Sequence, residues 1–154
     1  MKRDTHPIKT ALFETCLKEI DQRIANARQA MEAAEESRNN ETKSSVGDKY
    51  ETGRAMMQGE QERNKVQLLN AIGQKQALQQ INYAKSSTQV QAGTLVQTNY
   101  GYYFLAIGLG KIQLKAQTYF VISPTSPIGQ QLLQLKVGEN TTFQNRQYLI
   151  QNIW

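Results

Sequence analysis

The chain has 154 residues, of which 39% are hydrophobic, with a formal net charge of +5 and a mean hydropathy of −0.60. That composition suits one or two domains, one of them elongated and solvated, better than a single compact core. One cysteine, Cys16, and one histidine, His6, exclude an internal disulfide framework and leave almost no material for a Cys/His zinc site or a Cys–His catalytic pair.

The charges are uneven. Residues 1–85 hold 14 Lys/Arg and 12 Asp/Glu, whereas residues 86–154 hold 4 and 1. The shift places a domain boundary between Ala84 and Gly93. The basic residues are scattered, so strong independent nucleic-acid binding is not expected. No apolar run is long enough for a transmembrane helix, the charged start does not read as a secretory signal, and a reducing, cytoplasmic setting is the expectation.

Taken in order, Pro7 can open a first helix, with an apolar stripe at Phe13, Leu17, Ile20, Ile24, Ala27, Met31 and Ala34. Its steps of four and three make a heptad seam, and the small residues allow close approach of a partner helix. A polar stretch from Glu35 leads to a turn at Ser44, Ser45 and Gly47. A second helix is predicted from about Asp48 to Tyr83, with a weaker seam at Ala55, Met56, Val66, Leu69, Ile72, Ala77 and Ile81. Two long helices joined by a short turn make an antiparallel hairpin over residues 1–85, with its tip near 44–52.

From Ser86 the pattern becomes short runs of β-branched and aromatic residues between Gly/Asn turns. These predict an antiparallel sheet over 86–154: Gly93–Thr98, Tyr102–Ile107, one or two strands within Ile112–Ile122, then Thr141–Phe143 and Gln147–Trp154. Ser126 is a good N-cap, Pro127 fits the first helical position, and Ile128, Leu132 and Leu133 give a short helix one buried face. Gly138 turns the chain back. The domain is thus a small α+β half-barrel with one short helix on its concave face. Tyr100, Tyr102, Tyr103, Tyr119 and Tyr148 read as core and turn residues rather than an RNA-stacking platform.

The run Ile122-Ser123, Ser126-Pro127-Ile128-Gly129, Leu132-Leu133 and Val137-Gly138-Glu139 resembles the Gre transcript-cleavage factors of bacterial RNA polymerase. That family carries Ile-Ser-x-x-Ser-Pro-Ile-(Gly/Ala), a Leu pair and Val-Gly-(Asp/Glu) in the same order. The resemblance implies an FKBP-like half-barrel behind an N-terminal antiparallel coiled-coil hairpin. It extends to the hairpin tip, where the family motif is like Gly-Asp-Leu-x-Glu-Asn-Ala-Glu-Tyr. Gly47-Asp48-Lys49-Tyr50-Glu51 keeps the aspartate and the first glutamate; Thr52, Gly53, Arg54 and Ala55 depart.

By that resemblance the chain is a transcription elongation factor, an accessory protein rather than an enzyme. It would enter the secondary channel and stimulate the polymerase's own cleavage of backtracked RNA near the RNA 3′ end. Asp48 and Glu51 would hold a Mg²⁺ shared with the polymerase, and the loop at Ser126, Pro127 and Ile128 would dock on the enzyme. Two hard carboxylates three apart suit a Mg²⁺ that keeps several waters. On the residues alone they equally suit a helix N-terminal dipole. Two other readings stand beside this one: a channel-binding regulator without cleavage activity, and a coiled-coil adaptor unrelated to transcription.

Overall fold

The structure, a computed structural model, describes the backbone of residues 6–44 and 49–154 and the side chains of residues 6–37 and 59–154. The order is α1 (Pro7–Ser44), α2 (Lys49–Gln79), β1 (Leu95–Thr98), β2 (Gly101–Leu105), β3 (Gly110–Leu114), β4 (Gln117–Ile122), α3 (Pro127–Leu132), β5 (Asn140–Phe143) and β6 (Arg146–Ile153). The fold is α+β. It comprises two compact units: a helical unit, Lys18–Lys75, and a sheet unit that joins Gln76–Trp154 to the start of α1 as far as Leu17.

In the helical unit α1 presents Ile20, Ile24, Ala27 and Ala34, all buried, to α2. A fully buried isoleucine contributes about 1.5–3 kcal/mol, and the alanines let the helix axes approach. Asp21 and Lys75 bridge the two helices at 2.7 Å, and both are partly exposed, so the pair adds little.

On α2 Ala71 is buried and Asn64, Leu68 and the expected Ile72 are half-buried, whereas the expected Val66 and Leu69 are each 57% exposed. Ala77 also faces outward, and Leu78 is the buried residue beside it. The reason is rotational. Val66, Leu69 and Ile72 are spaced three and three, and each such step turns back by about 60° around a 3.6-residue helix. Alternation of four and three (Asn64, Leu68, Ala71) holds one face, at the cost of a polar residue in the seam.

The six strands form one open sheet in the order β3-β4-β2-β1-β6-β5. It is mixed, not antiparallel throughout as expected: β2 and β4 run parallel, with Tyr103 beside Phe120 and Leu105 beside Ile122. After β2 the chain reverses through Gly110 (φ +86°) and leaves a gap one strand wide. The β3–β4 hairpin then folds β4 back into that gap. Lys115 (φ +50°) and Ala116 (φ +64°) form its two-residue turn, and Gln144 (φ +49°) and Asn145 (φ +63°) do the same between β5 and β6. Such turns need positive φ at both positions, which Asn-Gly supplies best; Lys-Ala carries no such signal.

One face of the sheet packs Val96, Tyr103, Leu105, Tyr148 and Ile150 against Val90 and Leu132, the last from α3. On the other face Leu95, Phe104 and Val121 are also buried, so the sheet is covered on both sides. The ends of the long helices belong to the same compact unit, and there Leu12, Cys16 and Leu78 are fully buried. Phe13 stacks on Tyr83 with ring centres 4.3 Å apart, and His6 lies 5.3 Å from Trp154. Trp154 exchanges both backbone hydrogen bonds with Leu95, which fixes the end of β6 on β1. Gly93 (φ +91°), two residues before β1, sits where a Cβ would come within 2.7 Å of the Asn82 carbonyl oxygen, so only glycine allows this approach.

Candidate functional site

The capped loop before α3 is the best-built feature that the sequence singles out. Ser126, with extended backbone, accepts the Gly129 N–H at 3.1 Å and donates its hydroxyl to the Ser123 carbonyl at 2.6 Å. One side chain therefore closes the helix start and ties it to the end of β4. Pro127 occupies the first turn, where no N–H is needed. The Ser123 and Thr125 hydroxyls share a hydrogen bond of 2.8 Å, and the Gln130 amide donates to the Thr125 carbonyl at 3.1 Å. Gly129 is buried, and a Cβ there would overlap the Ser123 carbonyl oxygen. The loop is thus held by its own bonds, with Thr125, Pro127 and Gln130 facing outward and Ile128 packed against the core.

Asp48 lies outside the described residues. Glu51 falls in the first turn of α2, with its side chain outside the described set. The two expected metal ligands therefore have no described geometry. Among the described residues no three His, Cys, Asp or Glu side chains converge on one point.

Two further arrangements are present that the sequence reading did not single out. In the helical unit a groove of about 510 Å³ runs between α1 and α2, with Ala27 and Ala71 as its floor and Arg23, Asn26, Gln67 and Asn70 at its rim. It offers amides and one guanidinium, a binding set without a general acid or base. In the sheet unit Lys9 is 2% exposed, and its ammonium donates to the Lys85 carbonyl at 3.3 Å. Burial pushes the amine down to about 8. A signal existed for it: Lys9 stands three, seven and eleven residues before Leu12, Cys16 and Ile20, in line with the buried stripe.

The tyrosines take core and turn positions. Tyr103, Tyr119 and Tyr148 are core residues, and Tyr100 sits exposed in the β1–β2 turn. Burial, with Tyr148 close by, holds the Tyr103 hydroxyl well above the usual phenol range, so it stays a proton donor. Compared with family models, curated proteins and solved structures, the chain matches none of them.

Proposed function

We propose that the chain is a divergent Gre-type factor, which enters the secondary channel of bacterial RNA polymerase and stimulates the polymerase's own cleavage of backtracked RNA. The observation that carries this reading is the Ile122–Gly129 run. Its Ser-Pro-Ile-Gly motif is built as a capped, tightly bonded loop on the end of β4, with an outward surface at Thr125 and Pro127. The order of a long helix pair before a sheet bearing one short helix gives further support. On this reading α1 and α2 are the antiparallel coiled-coil hairpin, the sheet is an FKBP-like half-barrel, and Ser126, Pro127 and Ile128 form the docking loop.

Asp48 and Glu51 are then the working residues at the hairpin tip. Their donor set, two hard carboxylates three residues apart, fits Mg²⁺, but two ligands are too few to hold it tightly without the polymerase. Asp48 and Glu51 would hold the ion, which would supply Lewis-acid activation of a water. The chain's own part is to carry the carboxylates to the RNA 3′ end and, through the docking loop, to fix their position.

A second reading, a channel-binding regulator without cleavage, is favoured by Arg54. It places a cation three residues beyond Glu51, where Gre-type factors keep an acid. One experiment separates the two. Polymerase is halted in a backtracked complex, the protein is added with Mg²⁺, and RNA shortening is followed beside an Asp48→Ala/Glu51→Ala double variant. Shortening by the wild type alone assigns the acidic pair. Competition with a cleavage-competent factor, without shortening, assigns the regulator. Absence of both effects removes the polymerase reading and leaves the coiled-coil adaptor.

A further inference from the structure

The sheet face that carries α3 also carries a continuous file of rings. Phe120 stacks on Tyr103 at 5.2 Å, Tyr103 meets Tyr148 edge-on at 6.1 Å, and Tyr148 meets Tyr100 at 5.0 Å. The two inner rings belong to the core. The two outer ones can be reached: Phe120 is half-buried and Tyr100 is 44% exposed.

A cation stands over each outer ring. The Lys111 ammonium lies 5.9 Å from the Phe120 centroid, and the Arg146 guanidinium 5.3 Å from that of Tyr100. Neither is paired with a carboxylate among the described residues. The acid of this half of the chain, Glu139, is turned to the Lys136 backbone N–H. The Tyr100 end is held in place by Asn99, whose amide donates to the Gln147 carbonyl at 3.0 Å and accepts the Leu149 N–H at 2.8 Å. Two ring-and-cation pairs thus sit at the two ends of one rigid, acid-poor strip.

We propose that this strip is a weak docking surface for single-stranded nucleic acid, with bases against Phe120 and Tyr100 and phosphates at Lys111 and Arg146. Grooves for single strands combine these two elements, stacking rings and a cationic track. An acidic peptide would use the cations and leave the rings idle. The proposal concerns the sheet unit by itself and does not depend on the polymerase reading.

The test is fluorescence anisotropy of a labelled oligouridylate of about twelve nucleotides with the full chain, in salt from about 20 to about 200 mM. Two phosphate contacts predict a slope of log affinity against log salt of about −1.4, a loss of about 25-fold over that range. Lys111→Gln and Arg146→Gln should each reduce the slope by about 0.7, and Lys136→Gln, away from the strip, should leave it unchanged. Tyr100→Ala should weaken binding about tenfold with the slope intact, while Tyr100→Phe keeps the affinity. No binding at the lowest salt overturns the proposal. So does equal competition by polyglutamate together with an unaffected Tyr100→Ala variant, which would make the strip a site for acidic chains.

Discussion

Burying Lys9 has a cost that can be measured by removing it. Its folded value of about 8 lies below the ordinary 10.5, because burial disfavours the charged amine. The unfolded chain therefore binds more protons between those values, and stability rises with pH across that window. Below about pH 8 the folded state carries the whole penalty, at most about 3 kcal/mol for a shift of this size. Lys9→Met removes the charge and keeps the length of the side chain. It also loses the hydrogen bond to the Lys85 carbonyl, about 1 kcal/mol. The expected result is a gain of about 1–2 kcal/mol at pH 7 that shrinks as pH rises above about 8 and reverses by about pH 10.5, where only the lost hydrogen bond remains. Urea unfolding followed by fluorescence of Trp154, the one tryptophan of the chain, reports on the sheet unit that holds Lys9. A variant less stable than wild type at pH 7, or a gap that does not change with pH, would refute the reasoning.

Substitutions at three other places test the fold. Replacing Lys115-Ala116 with Asn-Gly should stabilise the β3–β4 hairpin by about 1–2 kcal/mol, read as a higher urea midpoint, because both positions have positive φ. In the loop before α3, Ser126→Ala should cost about 1 kcal/mol for the lost cap, and Gly129→Ala about 1–3 kcal/mol for the forced movement, by the same measurement. On α2, Val66→Gln and Leu69→Gln should each change stability by less than about 0.5 kcal/mol, whereas Leu78→Ala should cost about 2–5 kcal/mol. Circular dichroism melts separate these outcomes, and equal costs at Leu69 and Leu78 would restore the seam expected from the sequence.

Much of the architecture was legible because it rests on local chemistry. Pro7 opens α1, Ser126 and Pro127 open α3, and Ile20, Ile24, Ala27 and Ala34 are buried as their spacing implies. Two kinds of feature were not. The parallel β2–β4 pair depends on which gap a hairpin fills, and the Lys115-Ala116 turn that makes the hairpin uses residues with no turn preference. The seam of α2 is set by α1, whose pattern is strong, and α2 follows it even where that half-buries Asn64 and exposes Leu69. At the candidate site, the loop of Ser126, Pro127 and Ile128 could be read from its cap and core positions. The ring file could not, since Phe120 and Tyr148 become neighbours of Tyr103 only through long-range register.

The place of β6 has a consequence for synthesis. β6 lies between β1 and β5, and the Asn152 side chain on β6 bonds to Gln97 on β1, 55 residues earlier. β1 and β2 can pair as soon as they leave the ribosome, but the other edge of β1 stays open until β6 has been made. At about 5–20 residues per second this leaves an unpaired, largely apolar edge for roughly 3–11 seconds. β5, which pairs only with β6, is made just before it and has almost no wait. The helix pair, by contrast, can form before any strand of the sheet has been translated. The vulnerable interval of this protein is therefore the delay between its first strand and its last.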